Sequence, residues 1–223
     1  RAYVLSGKLS VGRSDNTLNT WEDVATSIDA DSVYLGIVYR DNVETAILLV
    51  EYAGSIDWYE STDGLTYSLI STFGAGLKPC IKVTPYNEIY VFWINDDGGG
   101  LYSLRCKVYD KSKNLLSGPI IVVSCDNSKL SCAYDNIHRS IHVYVTIAGV
   151  IKDYSSTDRT TWSNTTLVSG SRPSVVIADF KKKFHYFVTG SGPYVLKGKH
   201  LDIEDNSLQS TFTILTSSNP IAL

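Results

Sequence analysis

The side chains suited to acid–base or nucleophilic chemistry are dispersed along the 223 residues. Acids in loop-like surroundings are Asp29, Asp31, Glu51, Asp96, Asp97 and Asp126. Two carboxylates flanking a glycosidic bond suffice for acid and base hydrolysis. A pair among these acids is therefore a candidate, although solvated loop acids are the favoured reading. The run Asn95-Asp96-Asp97-Gly98-Gly99-Gly100 clusters oxygen ligands of the kind a hard cation takes. It lacks the alternating spacing of calcium loops, and a hairpin tip accounts for it, so no metal site is expected. His142 and His185 occupy matching places in two apolar runs, as Tyr90 does in a third. That repetition points to packing rather than metal binding. No Ser/His/Asp spacing marks a nucleophile, and no cofactor is expected. Cys80, Cys106, Cys125 and Cys132 form no CxxC pair, and no His lies at zinc-ligand spacing. Free thiols are expected, with Cys125 and Cys132 the one pair to test.

Composition narrows the classes. The net charge is −3, basic residues are scattered, and Lys181-Lys182-Lys183 sits at a turn between apolar runs. Nucleic-acid binding is not expected. No apolar run approaches the roughly 18 residues of a membrane span. The chain is 43% hydrophobic with 15 Tyr, so a sizeable core can be buried. Aromatic and β-branched residues dominate the apolar runs, which suits pleated surfaces. Helical periodicity is absent; Glu22 to Ala30 comes closest. The chain starts at Arg1 and contains no Met, so a processed product or a piece of a longer protein is expected.

The elements that must position these residues form a repeat. Inner-strand runs begin at Val33, Pro79, Leu130, Pro173 and Pro220, at spacings of 46, 51, 43 and 47 residues. That period suits a four-stranded propeller blade. Second runs follow after polar turns: Ile89 to Phe92, Ile141 to Tyr144 and Phe184 to Phe187 align residue for residue. At the N-terminus Ala2 to Leu5 reads as a second strand, and Pro220 to Leu223 reads as an inner strand. Joined, they complete one blade and close the ring, which removes exposed sheet edges. The expected fold is all-β: a single five-bladed β-propeller of four-stranded antiparallel blades, closed by pairing of its N- and C-terminal strands. Its blades are 1–29 plus 219–223, 30–76, 77–127, 128–171 and 172–218.

Between third and fourth strands, Ser61-Thr62-Asp63-Gly64-Leu65-Thr66-Tyr67 resembles the Asp-box hairpin of sialidases and related BNR-like propellers. Ser156-Thr157-Asp158-Arg159-Thr160-Thr161-Trp162 resembles it too, with Arg159 in place of Gly. A weaker copy runs from Ser14 to Trp21. In this motif Ser and Asp bond a tight turn, Gly relieves a left-handed residue, and the aromatic packs between sheets. The resemblance implies a structural role for Ser61, Asp63, Gly64, Thr66, Tyr67, Ser156, Asp158, Thr161, Trp162 and Trp21, away from the ligand face. It also raises sialidase chemistry, which needs three Arg to grip a carboxylate. Only Arg172, before Pro173, opens an inner strand on the ligand face, so no such triad is assembled.

The function expected from these features is a non-catalytic interaction or structural module. Short Asp-box-like propellers occur in bacteriophage tail and adsorption proteins, so a virion or surface-recognition role is expected, within a larger assembly. Candidate ligand contacts are Tyr52, Trp93, Asp96, Asp97, Arg172 and Tyr194: aromatic plates beside polar groups suit glycans or protein partners. The alternatives are a lectin-like propeller and a glycoside hydrolase of sialidase-like fold.

Overall fold

The computed structural model describes residues 1–14, 21–178, 182–189, 194–202 and 212–217. These residues form five sheets and no helix. The first sheet has β1 (Ala2–Leu5), β2 (Lys8–Ser14) and β3 (Trp21–Asp29). The second has β4 (Ser32–Arg40), β5 (Val43–Tyr52), β6 (Ser55–Ser61) and β7 (Ser68–Ala75). The third has β8 (Leu77–Val83), β9 (Ile89–Gly98), β10 (Leu101–Tyr109) and β11 (Leu115–Cys125). The fourth has β12 (Ser131–Asp135), β13 (Ser140–Ile147), β14 (Val150–Ser156) and β15 (Ser163–Ser169). The fifth has β16 (Ser171–Ala178), β17 (Lys182–Thr189), β18 (Tyr194–Asp202) and β19 (Phe212–Ser217). Each sheet is a meander whose strands pair in chain order. The architecture is thus all-β: among the described residues, four four-stranded antiparallel sheets and one three-stranded sheet form a propeller-like repeat.

The repeat of four strands is visible in the burial. β5 and β13 are near-continuous buried runs, whereas the fourth strands β7 and β15 carry Ser, Thr and Asn and are mostly exposed. A middle strand covered on both faces reads as continuously apolar, and a sheet edge facing water does not. The inner strands begin earlier than the apolar runs indicate. β8 starts at Leu77 and β16 at Ser171, because Pro79 and Pro173 each lie within a register irregularity near the strand start. Proline lacks the N–H for a ladder bond and is tolerated at such edge positions.

The chain divides into two compact units, residues 1–96 with 105–119, and residues 97–104 with 120–223. In the first, the two faces of β5 serve two cores. Ile47 and Leu49 pack with Val38, Ile56, Trp58, Ile81, Ile89, Val91 and Trp93. Leu48 and Val50 pack with Leu9, Val11 and Ala30. Gly76 is required where this packing is tightest: a Cβ there would lie 2.6 Å from Ile56 Cδ1 and 2.8 Å from Trp93 Cδ1. In the second unit, Ala133, Tyr144, Ile151 and Leu167 form a core.

Turn chemistry repeats in phase with the sheets. Ser6-Gly7, Ala53-Gly54 and Ala148-Gly149 all hold two successive positive φ angles, the type I′ geometry of two-residue hairpins. Each glycine carbonyl then accepts the N–H of the residue just past the last strand of its sheet: Ala30, Gly76 and Gly170 at 3.0, 2.9 and 2.9 Å. The pairing of 220–223 with Ala2–Leu5, and the weak hairpin at 15–20, lie outside the described residues.

Candidate functional site

Of the acids expected in loops, Asp29, Glu51, Asp96 and Asp97 lie in β3, β5 and β9. Only Asp31 and Asp126 lie between strands, and the structure separates their roles. Glu51 is the penultimate residue of β5, directly across from Ser32. Its side chain is 4% exposed. Oε2 accepts the Ser32 hydroxyl at 2.6 Å and the Lys78 N–H at 3.0 Å. Lys78 Nζ lies 3.9 Å from Oε1. A buried carboxylate held by a hydroxyl, a backbone N–H and an ammonium is oriented in a single pose, as an acid–base or charge-stabilising group must be.

The neighbouring aspartates are tied to their own turns. Asp31 accepts the Ala53 N–H at 2.9 Å. Asp126 accepts the Ala148 and Gly149 N–H groups at 3.1 and 3.2 Å. They stand at equivalent places in two sheets, and both cap a type I′ hairpin. Asp29 pairs with Lys8 at 2.6 Å on the surface. Asp96 and Asp97 lie at the exposed end of β9. No group of three or more His, Cys, Asp or Glu side chains converges among the described residues. The four cysteines carry free thiols. Burial, then the charges of Asp126 and Asp97, push the Cys125 thiol up to about 11.

The aromatic candidates divide as well. Tyr52 is exposed, at 49%. Trp93 is not the surface plate expected of it. It is 6% exposed and joins Ile89 and Val91 in the core. Phe73 contacts it edge-on at 6.2 Å and stacks on Trp58 at 5.8 Å. The physical reason is strand parity, which aims positions 89, 91 and 93 at the same packed interface. Arg172 lies in β16 and Tyr194 opens β18, and their side chains are outside the described set.

At the other end of the sheets, the two Ser-x-Asp hairpins share one pattern. Asp63 Oδ1 accepts the Ser61 hydroxyl at 2.7 Å and the Leu65 and Thr66 N–H groups at 2.8 and 2.7 Å. Asp158 Oδ1 does the same with Ser156, Thr160 and Thr161 at 3.1, 2.9 and 2.7 Å. Backbone N–H donors hold both carboxyls well below the usual carboxylate range. Tyr67 packs against the Leu9 core, and Trp162 is half-buried. Trp21 opens β3, with its side chain outside the described set.

The sheet faces behind these hairpins hold two clusters that spacing alone does not disclose. In the second sheet, Arg40 grips Glu60 with both terminal nitrogens at 2.6 and 2.7 Å. Glu60 also accepts Trp58 Nε1 at 3.0 Å and lies 3.4 Å from Lys113 Nζ. Burial pushes the Glu60 carboxyl up, but the Arg40 bonds and charge, helped by Lys113, bring it below the ordinary value.

In the fourth sheet, His142 Nδ1 lies 2.9 and 3.0 Å from the Asp153 oxygens, and Nε2 lies 2.8 Å from Ser140 Oγ. With Nδ1–H donating to Asp153, Nε2 accepts from the Ser140 hydroxyl. Hydroxyl, imidazole and carboxylate thus stand in nucleophile–base–orienter order. All three are buried, at 6, 7 and 7% exposure, on the face that carries Tyr144 and Ala133 of the core. Burial, then the Asp153 carboxylate, raises the Tyr144 hydroxyl well above its usual value. The cluster tethers β13 to β14.

No family model matches the sequence, and no curated protein does. Solved structures do resemble the fold. A Dyadobacter fermentans protein of unknown function superposes with TM-score 0.66 at 12% identity, over 96% of this chain and 74% of its own. A family 43 arabinoxylan arabinofuranohydrolase from Bacillus subtilis gives 0.57 at 8% identity, over 99% and 66%. A thermostable family-43 glycoside hydrolase gives 0.55 at 10% identity, over 99% and 93%. No helix of the described residues is long and apolar enough to cross a membrane. These likenesses show the fold, a β-propeller scaffold. They also overturn the expectation of a non-catalytic module without enzymatic activity, because the scaffold recurs as that of family 43 glycoside hydrolases.

Proposed function

We propose that the chain is a glycoside hydrolase propeller whose acid–base machinery includes Glu51. The observation that carries this reading is the likeness to family 43 enzymes over 99% of the chain. The buried, triply held carboxylate of Glu51 gives it a residue. Asp31 and Asp126 cap hairpins and Asp29 pairs with a surface lysine; the second carboxylate is proposed at Asp96 or Asp97, at the exposed end of β9. Tyr52, Arg172 and Tyr194 are proposed as sugar contacts. The scaffold on this reading has five blades. The first sheet is completed by residues 220–223 against β1, and the Ser-x-Asp hairpins act as Asp-boxes that fold individual blades.

The test is hydrolysis of arabinoxylan, xylan and aryl α-L-arabinofuranosides or β-D-xylosides by the purified chain. Glu51→Gln can keep the Ser32 hydroxyl and Lys78 N–H bonds through its amide oxygen, but it loses the Lys78 ammonium contact and proton transfer. It is expected to lower kcat by about 10²- to 10⁴-fold with little change in Tm. Full activity in that variant, or no hydrolysis of any substrate by the parent, defeats the proposal. Removing residues 218–223 should expose the β1 edge and lower Tm; an unchanged Tm would break the closed-ring reading.

A further inference from the structure

We propose that a cleft of about 470 Å³ beside the Ser61–Tyr67 hairpin binds a neutral saccharide, remote from Glu51. The cleft is lined by Arg40, Thr45, Glu60, Thr62, Asp63 and Ser68, among others. Thr45 and Glu51 both lie on β5, at opposite ends, about 20 Å apart at the strand rise. The site is therefore distinct from the loops assigned to hydrolysis. Its volume falls within the range of small-molecule sites.

Its chemistry selects the ligand class. The Arg40 charge is matched by Glu60 in a bidentate pair. Arg40 Nε donates to the Lys111 carbonyl. Two of the five guanidinium N–H groups thus remain, on a fork that the pair holds rigid. The Glu60 and Asp63 oxygens already accept several donors each. Thr45, Thr62 and Ser68, each bearing a hydroxyl, line the same space. Among the described residues they make no side-chain hydrogen bond. Hydroxyls both donate and accept, so this lining complements a ring of alternating hydroxyls. An anion would meet Glu60 and Asp63, and a cation would meet Arg40. The absence of an aromatic plate in the lining fits a weak site that holds a glycan chain rather than one that activates it. The inference rests on the glycoside hydrolase reading only for the source of the ligand.

The test is titration of the ¹⁵N-labelled full chain with xylotriose and with L-arabinose, following backbone amide shifts. Saturable shifts are expected at residues 40–45 and 61–68. The Thr45→Val/Ser68→Ala variant should bind about fivefold more weakly or less while still hydrolysing an aryl glycoside normally. Thr62→Trp, which fills the cleft from an exposed position, should abolish the shifts should the double variant fail to fold. Glu51→Gln should leave them intact. Shifts without hydrolysis by the parent would sink the enzyme reading and sustain the cleft. Hydrolysis without shifts at 61–68, or equal shifts with sulfate or glucuronate, would overturn the cleft as a neutral-sugar site.

Discussion

The second and fourth sheets are built from the same parts and stabilised by different chemistry. Both have a type I′ hairpin capped by an aspartate, Asp31 or Asp126. Both have a Ser-x-Asp hairpin whose aspartate gathers backbone N–H groups. On the sheet face between them, however, one places an ionic cluster of Arg40, Glu60 and Lys113. The other places Ser140, His142 and Asp153. At the loop end, Glu51 in one corresponds by its place before the turn to Thr146 in the other. The repeat therefore conserves turns and caps, whose geometry the backbone imposes, and leaves the strand faces free to diverge. Function is to be sought in the divergent positions.

The largest expected effect falls on the ionic cluster. Arg40→Met leaves the mostly buried Glu60 with Trp58 and the more exposed Lys113 alone. Removing one partner of such a pair costs about 3 kcal/mol, read as a lower urea midpoint. Adding Glu60→Gln should recover part of that loss, because the uncompensated charge is gone. His142→Phe in the other sheet breaks hydrogen bonds and should cost about 1–3 kcal/mol. Equal losses at Arg40 and His142 would erase the distinction between the two faces.

Acid should act on the feature the sheets share. Backbone donors hold the Asp63 and Asp158 carboxyls below the usual range, so their folded values lie under the unfolded value of about 4. A depressed folded value contributes stability that is present above the unfolded value and lost as pH falls through the folded one. Chemical denaturation should therefore show stability falling below about pH 4, and the Asp63→Asn/Asp158→Asn variant should flatten that limb. Glu60, also below its ordinary value, adds to the same limb in the second sheet alone. Arg40→Met should remove that share.

What could be read from the sequence was what is local. Turn residues, Ser-x-Asp spacings and the strand period depend on neighbours along the chain, and the sheets follow them within a few residues. What could not be read depends on register and parity. Asp153 reaches His142 only because β14 pairs with β13 so that Asp153 faces Tyr144. Slipping the pairing by one residue would turn it to the other face. Trp93 sits in a strand whose residues 89–94 are all buried, so alternation offers no sign of which side faces the core. Glu51 and Asp31 look alike as loop acids. They are distinguished only by partners from other strands, Ser32 and Lys78 for the one and the Ala53 turn for the other.

The smallest effect tests the shared hairpins at the one place where they differ. Gly64 and Arg159 occupy the same step after the aspartate and adopt the same left-handed backbone, with φ of 75° and 71°. A side chain in that region costs roughly 1 kcal/mol relative to glycine, through its Cβ. The nearest atoms to a Cβ on Gly64 belong to Arg13, at 3.8 Å or beyond, so the cost of Gly64→Ala is conformational rather than steric. Gly64→Ala should destabilise by about 1 kcal/mol and Arg159→Gly should stabilise by a similar or smaller amount, since glycine also loosens the unfolded chain. Opposite signs in paired Tm measurements would show that both hairpins impose one backbone on different sequences. A loss of stability in Arg159→Gly would instead mean that the Arg159 side chain contributes contacts that outweigh the left-handed strain, and that the two hairpins are not equivalent.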